Sequence, residues 1–273
     1  MDVVKGLKQT YDTLRCLYKY QIKGELTHTE SSILYYAINR KTKEKLVLKQ
    51  CYDDELFKRE VAISSKIFSH GYNNYVLPLV DQFPDKNCLV VPYLEGGDLY
   101  DFREYKKGLT PEEGFAITSQ IGRGLEHIHA AGVIHADVKS ANILLADADA
   151  QHNSDRTPLV KLTDFGLSRG SLPEPNHDSG TPEYMAPELL LLEPPTPAVD
   201  IYSLGLVLHE ILSNTLLYDQ NSNITLHDKI PPHQRIPMRV LEVIRTACEI
   251  KPTNRYKNAT EMVSDLERAV YSC

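Results

Sequence analysis

The chain has 273 residues, of which 42% are apolar and 25% are charged, and its formal net charge is −7. This length suffices for one large domain with its own core, and the acidic balance excludes a broad basic surface for nucleic acid or an anionic membrane. Its five cysteines lack metal-ligand spacing, and no apolar run approaches the roughly 20 residues of a membrane span, so the sequence predicts a soluble cytoplasmic protein.

The first third of the chain predicts a small β-sheet that carries one main helix. Apolar residues recur every three or four positions over Val4–Leu17, which predicts a short amphipathic helix. Strand-like runs on either side of a basic turn then predict a hairpin, and a charged helical stretch and a second strand pair follow. In chain order these segments are Ile33–Ile38, Lys45–Lys49, the helix Asp54–Phe68, Val76–Val80 and Cys88–Val91.

Beyond Gly96 the chain predicts a mostly helical region. Thr110 is followed by Pro111 and by Glu113, which is the pattern of a capped helix start. Apolar stripes at helical spacing recur in three segments, and two short strands flank a polar surface insertion. The stripes are Ile117, Ile121, Leu125 and Ile128, then Ile201, Leu204, Leu208 and Ile211, then Val240, Ile244 and Ala247; the strands are Asn142–Leu145 and Leu159–Leu162, with the insertion Ala146–Pro158.

Two polar segments carry chemistry. The loop His135–Asn142 follows a predicted helix and precedes an apolar strand, and Asp164-Phe165-Gly166 begins 22 residues after Asn142, directly behind the next strand. Carboxylate and amide groups at such positions can hold Mg²⁺ and aim a hydroxyl group, which suits phosphoryl transfer. Either triplet could arise by chance, but the two in this order and context indicate a site.

These motifs resemble those of eukaryotic-type serine/threonine protein kinases over about residues 20–270. The matching positions are Lys49 at a strand end, Glu60 on the next helix, His135–Asn142, Asp164–Gly166, Gly180–Glu188, Asp200–Gly205 and Arg255. The resemblance implies the α+β, bilobal protein-kinase fold for a single domain over 1–273. Residues 1–93, with the N-terminal helix, are expected to form the sheet lobe, and residues 94–273 the helical lobe.

The resemblance implies catalytic and metal-binding roles for four polar residues. Asp137 is expected to accept the proton of the substrate hydroxyl group, and Lys139 to neutralise charge on the transferring phosphoryl group. Asn142 and Asp164 are expected to ligate Mg²⁺, for which Mn²⁺ is an alternative. The implied reaction is phosphorylation of serine and threonine hydroxyl groups on protein substrates by ATP.

A second set of residues is implied to bind the nucleotide. Lys49, the third expected catalytic residue, would contact the phosphates while an ion pair with Glu60 holds it. Adenine would bond the Pro92 carbonyl and the Leu94 N–H. Asp98 has two interpretations, a ribose partner or a helix N-cap. The full set is Leu34, Val47, Lys49, Glu60, Pro92, Leu94, Asp98 and Leu144.

The expected substrate class depends on the same resemblance. Lys139 together with Thr181 resembles the serine/threonine class, and Gly180–Glu188 resembles the peptide-docking segment that kinases of small molecules usually lack. Glu210 and Asp98 occupy positions where some relatives carry acidic residues that attract basic peptides. The sequence therefore predicts protein substrates, with a mild preference for basic residues near the acceptor, and no nucleic-acid partner.

The small lobe departs from the family pattern at three places. Thr27, Thr29 and Ser32 replace the three glycines of the phosphate loop, whose backbone N–H groups ordinarily approach phosphate closely. Val47 replaces the usual alanine above adenine, and Ser64 replaces an apolar residue of the internal spine. These changes are expected to weaken nucleotide binding rather than remove the chemistry.

The large lobe departs at Ala136, where the family has an arginine that pairs with a phosphate on the activation segment. Without that cation, we expect activity that does not require phosphorylation of the segment, although Ser168, Ser171, Ser179 and Thr181 are candidate modification sites. The competing interpretation is a pseudokinase that acts as a binding or scaffold module. Such modules commonly lose the base, the metal aspartate or the strand lysine, and this chain retains all three.

Overall fold

The computed structural model describes residues 18–29, 31–147, 157–170, 181–219, 224–225 and 230–272. The predicted helix Val4–Leu17 and residues 148–156 of the predicted insertion lie outside the described residues. The chain divides into two compact units. The first contains the described residues up to Ser65 together with Leu77–Leu94, and the second contains Lys66–Val76 together with the described residues from Glu95 onward.

The first unit contains a five-stranded antiparallel sheet in the order β1-β2-β3-β5-β4. Its strands are β1 (Tyr20–His28), β2 (Ser32–Asn39), β3 (Lys45–Cys51), β4 (Asp81–Phe83) and β5 (Cys88–Pro92), and the helix α1 (Asp54–Ser69) follows β3. The predicted hairpin and helix are confirmed. The predicted strand Val76–Val80 is wrong, because the strand lies at β4. Pro78 within the predicted run has no N–H to give to a ladder.

The sheet curls so that its two edge strands approach each other. Tyr20 of β1 donates its hydroxyl proton to Asp81 of β4 over 2.8 Å, and its ring lies edge-on to Phe83 with the centroids 6.0 Å apart. The inner face of the curl is a buried apolar core. Its members are Tyr20, Ile33, Tyr35, Ala37, Leu46, Leu48, Cys88 and Val90.

The opposite face of the sheet carries three of the predicted nucleotide-binding residues, Leu34, Val47 and Lys49. Lys49 lies between Leu34 and Leu89 in the register of β2, β3 and β5, and Val47 lies two residues away on the same face because side chains alternate along a strand. Phe57 of α1 packs with Leu89 in a separate buried cluster. The helix therefore lies against the face that presents Lys49.

The second unit is mainly helical. Its helices are α2 (Leu99–Lys106), α3 (Pro111–Ala130), α4 (Pro187–Leu190), α5 (Ala198–Ser213), α6 (Met238–Ala247) and α7 (Ala259–Tyr271). Its short strands are β6 (Val133–Ile134), β7 (Ile143–Leu145), β8 (Val160–Leu162), β9 (Arg169–Gly170), β10 (Tyr218–Asp219) and β11 (Ile224–Thr225). They pair as β6–β9, β7–β8 and β10–β11. The expected α+β class is confirmed.

Helix α5 forms the centre of the second unit. Every residue from Val199 to Ser213 is buried, which is typical of a helix with protein on all sides. It packs against α3 and α6, and α7 packs against the same two helices. At Gly205 a β-carbon would come within 2.8 Å of the Ala247 β-carbon and of the Cys248 sulfur, so the approach of α6 requires glycine here.

The start of α3 has the structure that its sequence predicts. Thr110 Oγ1 accepts a hydrogen bond from the Glu113 N–H over 3.2 Å, and Glu113 Oε2 accepts one from the Thr110 N–H over 2.9 Å. The capping box satisfies two amide groups that the helix cannot satisfy itself. None of the described helices is long and apolar enough to cross a membrane.

Candidate active site

The predicted base, Asp137, is held on both carboxylate oxygens. Oδ2 lies 2.8 Å from Lys139 Nζ and accepts a 2.8 Å hydrogen bond from Asn142 Nδ2. Oδ1 accepts from the N–H and the hydroxyl group of Thr181 over 3.2 and 3.1 Å, and Lys139 Nζ also donates to Thr181 Oγ1 over 2.6 Å. The structure thus brings three polar residues, Lys139, Asn142 and Thr181, together around the buried Asp137 carboxylate.

The loop that carries Asp137 is held by hydrogen bonds to Asp200 of α5. The Asp200 carboxylate accepts hydrogen bonds from the His135 N–H over 2.9 Å and from the Ala136 N–H over 2.8 Å. Ala136 has a φ of 63°, a left-handed conformation that costs an alanine about 1 kcal/mol or more. A fully buried carboxylate that binds two successive N–H groups compensates that strain and fixes the direction in which the loop leaves β6.

Asp200 has a third partner, His129 at the end of α3, whose Nε2 lies 2.7 Å from Asp200 Oδ2. Burial acts to raise the pKa of Asp200. The hydrogen bond from His129 and the charges of His129 and His135 outweigh burial and leave the pKa below its ordinary value. The carboxylate therefore stays ionised beneath the loop.

The hairpin of β7 and β8 brings the two predicted metal ligands to one end. Ile143 pairs with Leu162, so Asn142 lies just before β7 and Asp164 just after β8. The Thr163 N–H donates to the Asn142 carbonyl over 3.0 Å at this end of the hairpin. Two residues that are distant in sequence thus occupy adjacent positions in the fold.

The orientation of Asn142 fits a cation ligand. Its Nδ2 donates to the Asp137 carbonyl over 2.9 Å and to the Asp137 carboxylate, which leaves the amide oxygen as the acceptor. Together with the Asp164 carboxylate this gives a set of hard oxygen donors, which Mg²⁺ prefers. Among the described residues no group of three or more His, Cys, Asp or Glu side chains forms a metal cage.

The segment after Asp164 packs back on the loop. The Phe165 ring is buried with its centroid 5.3 Å from that of His135, and the Ser168 hydroxyl group donates to the His135 carbonyl over 3.1 Å. Asp164 itself has a φ of 63°. Ser168 is completely buried, so of the four candidate modification sites it is inaccessible here, and Ser171 and Ser179 lie outside the described residues.

The first unit supplies the predicted lysine–glutamate pair. Lys49 Nζ lies 3.0 Å from Glu60 Oε1 and 2.8 Å from Glu60 Oε2, and the two side chains are 15% and 9% exposed. Leu34 and Val47 share the sheet face of Lys49, Pro92 ends β5 and Leu94 lies two residues further on. The pair that the sequence suggested is present, and it belongs to a different unit from Asp137.

Asp98 has the N-cap geometry that was one of its two interpretations. Its Oδ1 accepts from the Asp101 N–H over 2.8 Å at the start of α2, and it forms a bridge with Leu144 of β7. Burial is the main cause that raises the pKa of Asp98 above its ordinary value. The ribose contact of Asp98 and the nucleotide contact of Leu144 stay predictions.

The turn that replaces the glycine loop is closed by its own side chain. Thr29 Oγ1 accepts hydrogen bonds from the Ser31 N–H over 3.3 Å and from the Ser32 N–H over 3.2 Å. The Thr29 N–H donates to the Ser32 carbonyl over 2.8 Å. The Thr29 hydroxyl group thus occupies two backbone N–H groups of this turn.

A buried polar network beside the loop was not anticipated as such. Glu210 of α5 accepts from Arg103 Nε over 2.8 Å and from the Tyr184 hydroxyl group over 2.7 Å, and Ser140 joins it. Arg103 and Glu210 are separated by 107 residues, so no local pattern connects them. The sequence singled out Glu210 for a different role, and Ser140 is a hydroxyl group between two residues of the predicted site.

Comparison with known proteins agrees with this geometry. The family model described as protein kinase domain matches residues 20–266. A probable serine/threonine-protein kinase of Clostridium perfringens is 30% identical over 285 residues, which cover 97% of this chain and 39% of that protein. The serine/threonine-protein kinase PknB of Mycobacterium leprae is 31% identical over 194 residues, 66% of this chain and 30% of that protein.

A human relative, serine/threonine-protein kinase H2, is 28% identical over 223 residues, 79% of this chain and 56% of that protein. The chain thus spans about two-fifths of the length of the clostridial relative and just over half of the human one. The family model extends over most of the chain, including the sheet of the first unit and the loop around Asp137. The chain therefore belongs to the protein kinase family.

Proposed function

We propose that this chain is an active serine/threonine protein kinase that transfers the γ-phosphoryl group of ATP to hydroxyl groups of protein substrates. The observation that carries the proposal is the set of contacts around Asp137, with Lys139, Asn142 and Thr181 within 3.2 Å of its carboxylate. A buried carboxylate with fixed neighbours suits a general base, because catalysis of phosphoryl transfer depends on positioning and charge.

Each residue of the loop has one role in this proposal. Asp137 accepts the proton of the attacking hydroxyl group, and Lys139 offsets negative charge on the group being transferred. Thr181, which contacts both, holds the substrate-facing segment against the base. Asn142 and Asp164 would hold Mg²⁺, or Mn²⁺, which when bound neutralises charge on the nucleotide phosphates.

In the first unit, Lys49 binds the ATP phosphates. Glu60 orients it through the 2.8 Å ion pair in a site that is largely buried. Leu34 and Val47 contribute apolar contacts to the adenine ring from the same sheet face. Pro92, Leu94, Asp98 and Leu144 complete the proposed nucleotide-binding set.

A scaffold function is the second candidate, and the turn at Thr29 is the observation that favours it. Two backbone N–H groups that could bind phosphate are instead bonded to the Thr29 hydroxyl group. We prefer the enzyme, because the N–H groups tune affinity for ATP whereas Asp137, Asp164 and Lys49 supply the charges that the reaction requires.

The proposed substrates carry no requirement for basic residues. Glu210, one of the two acidic positions that suggested such a preference, is completely buried and paired with Arg103. Asp98, the other, caps α2. Neither side chain therefore supports a preference for basic peptides, and the proposal specifies only a serine or threonine acceptor.

The proposed enzyme is active without phosphorylation of its activation segment. Ala136 offers only its N–H, to Asp200, so a phosphate on the segment has no cation at this position to pair with. Phosphatase-treated protein should therefore retain its activity. Loss of activity on that treatment, with recovery on phosphorylation, would reject this part of the proposal.

The decisive experiment compares the parent protein with Asp137→Asn and Asp164→Asn, using radiolabelled ATP, Mg²⁺ and a generic protein substrate rich in serine and threonine. Activity that is present in the parent and lost in both variants supports the enzyme. A parent no more active than the variants at millimolar ATP supports the scaffold. Phosphoamino-acid analysis of the product then tests the serine/threonine class.

A further inference from the structure

Glu210 is a buried carboxylate that receives three hydrogen-bond donors from three separate parts of the chain. Arg103 Nε and the Ser140 hydroxyl group reach Oε1 over 2.8 and 3.1 Å, and the Tyr184 hydroxyl group reaches Oε2 over 2.7 Å. Arg103, Ser140 and Glu210 are nearly or fully buried, and Tyr184 is 6% exposed. The network is therefore protected from competition by water.

The proton count fixes the direction of these bonds. A hydroxyl group has one proton, and an ionised carboxylate only accepts. Since Ser140 and Tyr184 both donate to Glu210, their 3.2 Å contact with each other adds proximity but no second donated proton. Removal of the Ser140 hydroxyl group thus leaves Oε1 with one donor fewer in a dry site, where a lost partner costs more than at the surface.

Ser140 and Tyr184 belong to the two segments that meet at Asp137. Ser140 begins the short 3₁₀ turn Ser140–Asn142, directly after Lys139. Tyr184 ends the 3₁₀ turn Pro182–Tyr184, directly after Thr181, whose N–H and hydroxyl group bind Asp137. One carboxylate on α5 therefore fixes the loop and the Thr181 segment relative to each other, a few residues from the base on each side.

We propose that Ser140 is a positioning residue that couples the loop of Asp137 to the Thr181 segment through Glu210 and Tyr184. Ser140 does not touch the reacting atoms; it acts by fixing Asn142 and Asp137 on one side and Thr181 on the other. The proposal rests on the proposed kinase function for its effect on rate. Its structural half, the coupling of two segments, is independent of activity.

The first measurement is hydrogen exchange of the full chain, with and without Ser140→Ala. Coupling predicts faster exchange in residues 181–185, which are remote from position 140 in sequence, because Glu210, which holds Tyr184, loses one of its three donors. The control is Thr118→Val on α3. Thr118 is also fully buried, but its hydroxyl group has no hydrogen-bond partner among the described residues. Unchanged exchange of residues 181–185 in Ser140→Ala would overturn the proposal.

The second measurement is a double-mutant cycle of Ser140→Ala and Tyr184→Phe on phosphoryl transfer. Each single variant should lower kcat by roughly tenfold, with the KM for ATP within about twofold of the parent, as expected for loss of one hydrogen bond to a charged group. The kcat of the double variant should be only slightly lower than that of the less active single variant, because both residues act through Glu210. Fully additive effects would contradict the coupling.

The two measurements separate the two proposals. If the parent shows no kinase activity, the proposed function fails while hydrogen exchange still decides the coupling. If the parent is active and Ser140→Ala changes neither exchange nor kcat, the coupling fails while the kinase stands. Ser140→Thr, which restores a hydroxyl group, should recover kcat if the hydrogen bond is responsible.

Discussion

The two units satisfy their polar groups in different ways. In the second unit, the Asp137 loop is supported by buried charges on two sides, Asp200 beneath it and Glu210 beside it. In the first unit, one ion pair, Lys49–Glu60, carries the predicted chemistry. The difference indicates that the groups proposed to do the chemistry in the second unit are rigidly held, whereas the departures at Thr27, Thr29, Ser32 and Val47 fall where the nucleotide is proposed to meet backbone and apolar side chains.

The largest expected effect is at Asp137, the proposed base in the second unit. Asp137→Asn should lower kcat by about a hundredfold to ten-thousandfold, because it removes the proton acceptor while the neighbouring hydrogen bonds can persist. Steady-state rates at saturating ATP measure the loss. Asp147→Asn is the matched control, since Asp147 lies just after β7 and outside the proposed catalytic set; a similar loss there would point to general damage.

The packing difference between the units can be tested with two glycines. Gly205→Ala on α5 places a β-carbon 2.8 Å from Ala247 and from Cys248, so it should lower the free energy of unfolding by about 1–3 kcal/mol. Gly24→Ala on β1 meets no atom within 4 Å and should change stability far less. Denaturant unfolding of both variants measures the contrast, and an equal effect at the two sites would contradict it.

His209, a buried histidine of the second unit, should make the stability of the protein depend on pH. Burial lowers the pKa of His209 on α5 to about 4, with His233 nearby adding to the shift. The unfolded chain therefore binds this proton near pH 6.5 and the folded chain only near pH 4, so its contribution to stability is complete above pH 6.5 and is lost as the pH falls towards 4. The loss should be about 2–3 kcal/mol.

The check is the difference in unfolding free energy between pH 7 and pH 4.5, for the parent and for His209→Gln. Carboxylate titrations are common to both proteins and cancel in this comparison. The variant should show a smaller decrease than the parent. Equal decreases in the two proteins would place the pH sensitivity elsewhere.

The smallest expected effect concerns the closed turn of the first unit. Thr29→Val removes the hydroxyl group that occupies the Ser31 and Ser32 N–H groups while it keeps the shape of the side chain. The freed N–H groups should bind phosphate and lower the KM for ATP by roughly threefold to tenfold, about the worth of one hydrogen bond. Thr29→Gly also removes the hydroxyl group but adds backbone freedom. If the KM for ATP decreases only in Thr29→Gly, the effect comes from backbone flexibility and not from the freed N–H groups.

Sequence patterns predicted local features well. The capping box at Thr110, the hairpin of β2 and β3 and helix α1 depend on short-range preferences, and the structure confirms them. The prediction of a strand at Val76–Val80 was wrong because it relied on the apolar character of the run and gave too little weight to Pro78, which has no N–H. Of the site residues, the ordered motifs identified the loop and the Lys49–Glu60 pair, and their roles stay predictions.

Long-range polar contacts were beyond the sequence. Glu210 was interpreted as a position where some relatives carry acidic residues that attract basic peptides, and nothing near it in sequence indicates that Arg103 pairs with it. Likewise, the motif of the phosphate loop shows that glycines are replaced, but not that Thr29 would accept from the backbone N–H groups. In both cases the hydrogen bond depends on which donor lies next to the acceptor in the folded chain. Spacing along the sequence does not determine that.

The curl of the first sheet has a consequence for solubility. Edge strands offer unpaired N–H and C=O groups on which a second molecule can add a strand. Here the edge strand β4 has three residues, and Asp81 on it binds Lys19 and Tyr20 beside the opposite edge. A three-residue edge that is held against the opposite strand offers a second molecule little backbone to pair with, so the contacts that close the core also limit strand addition at β4.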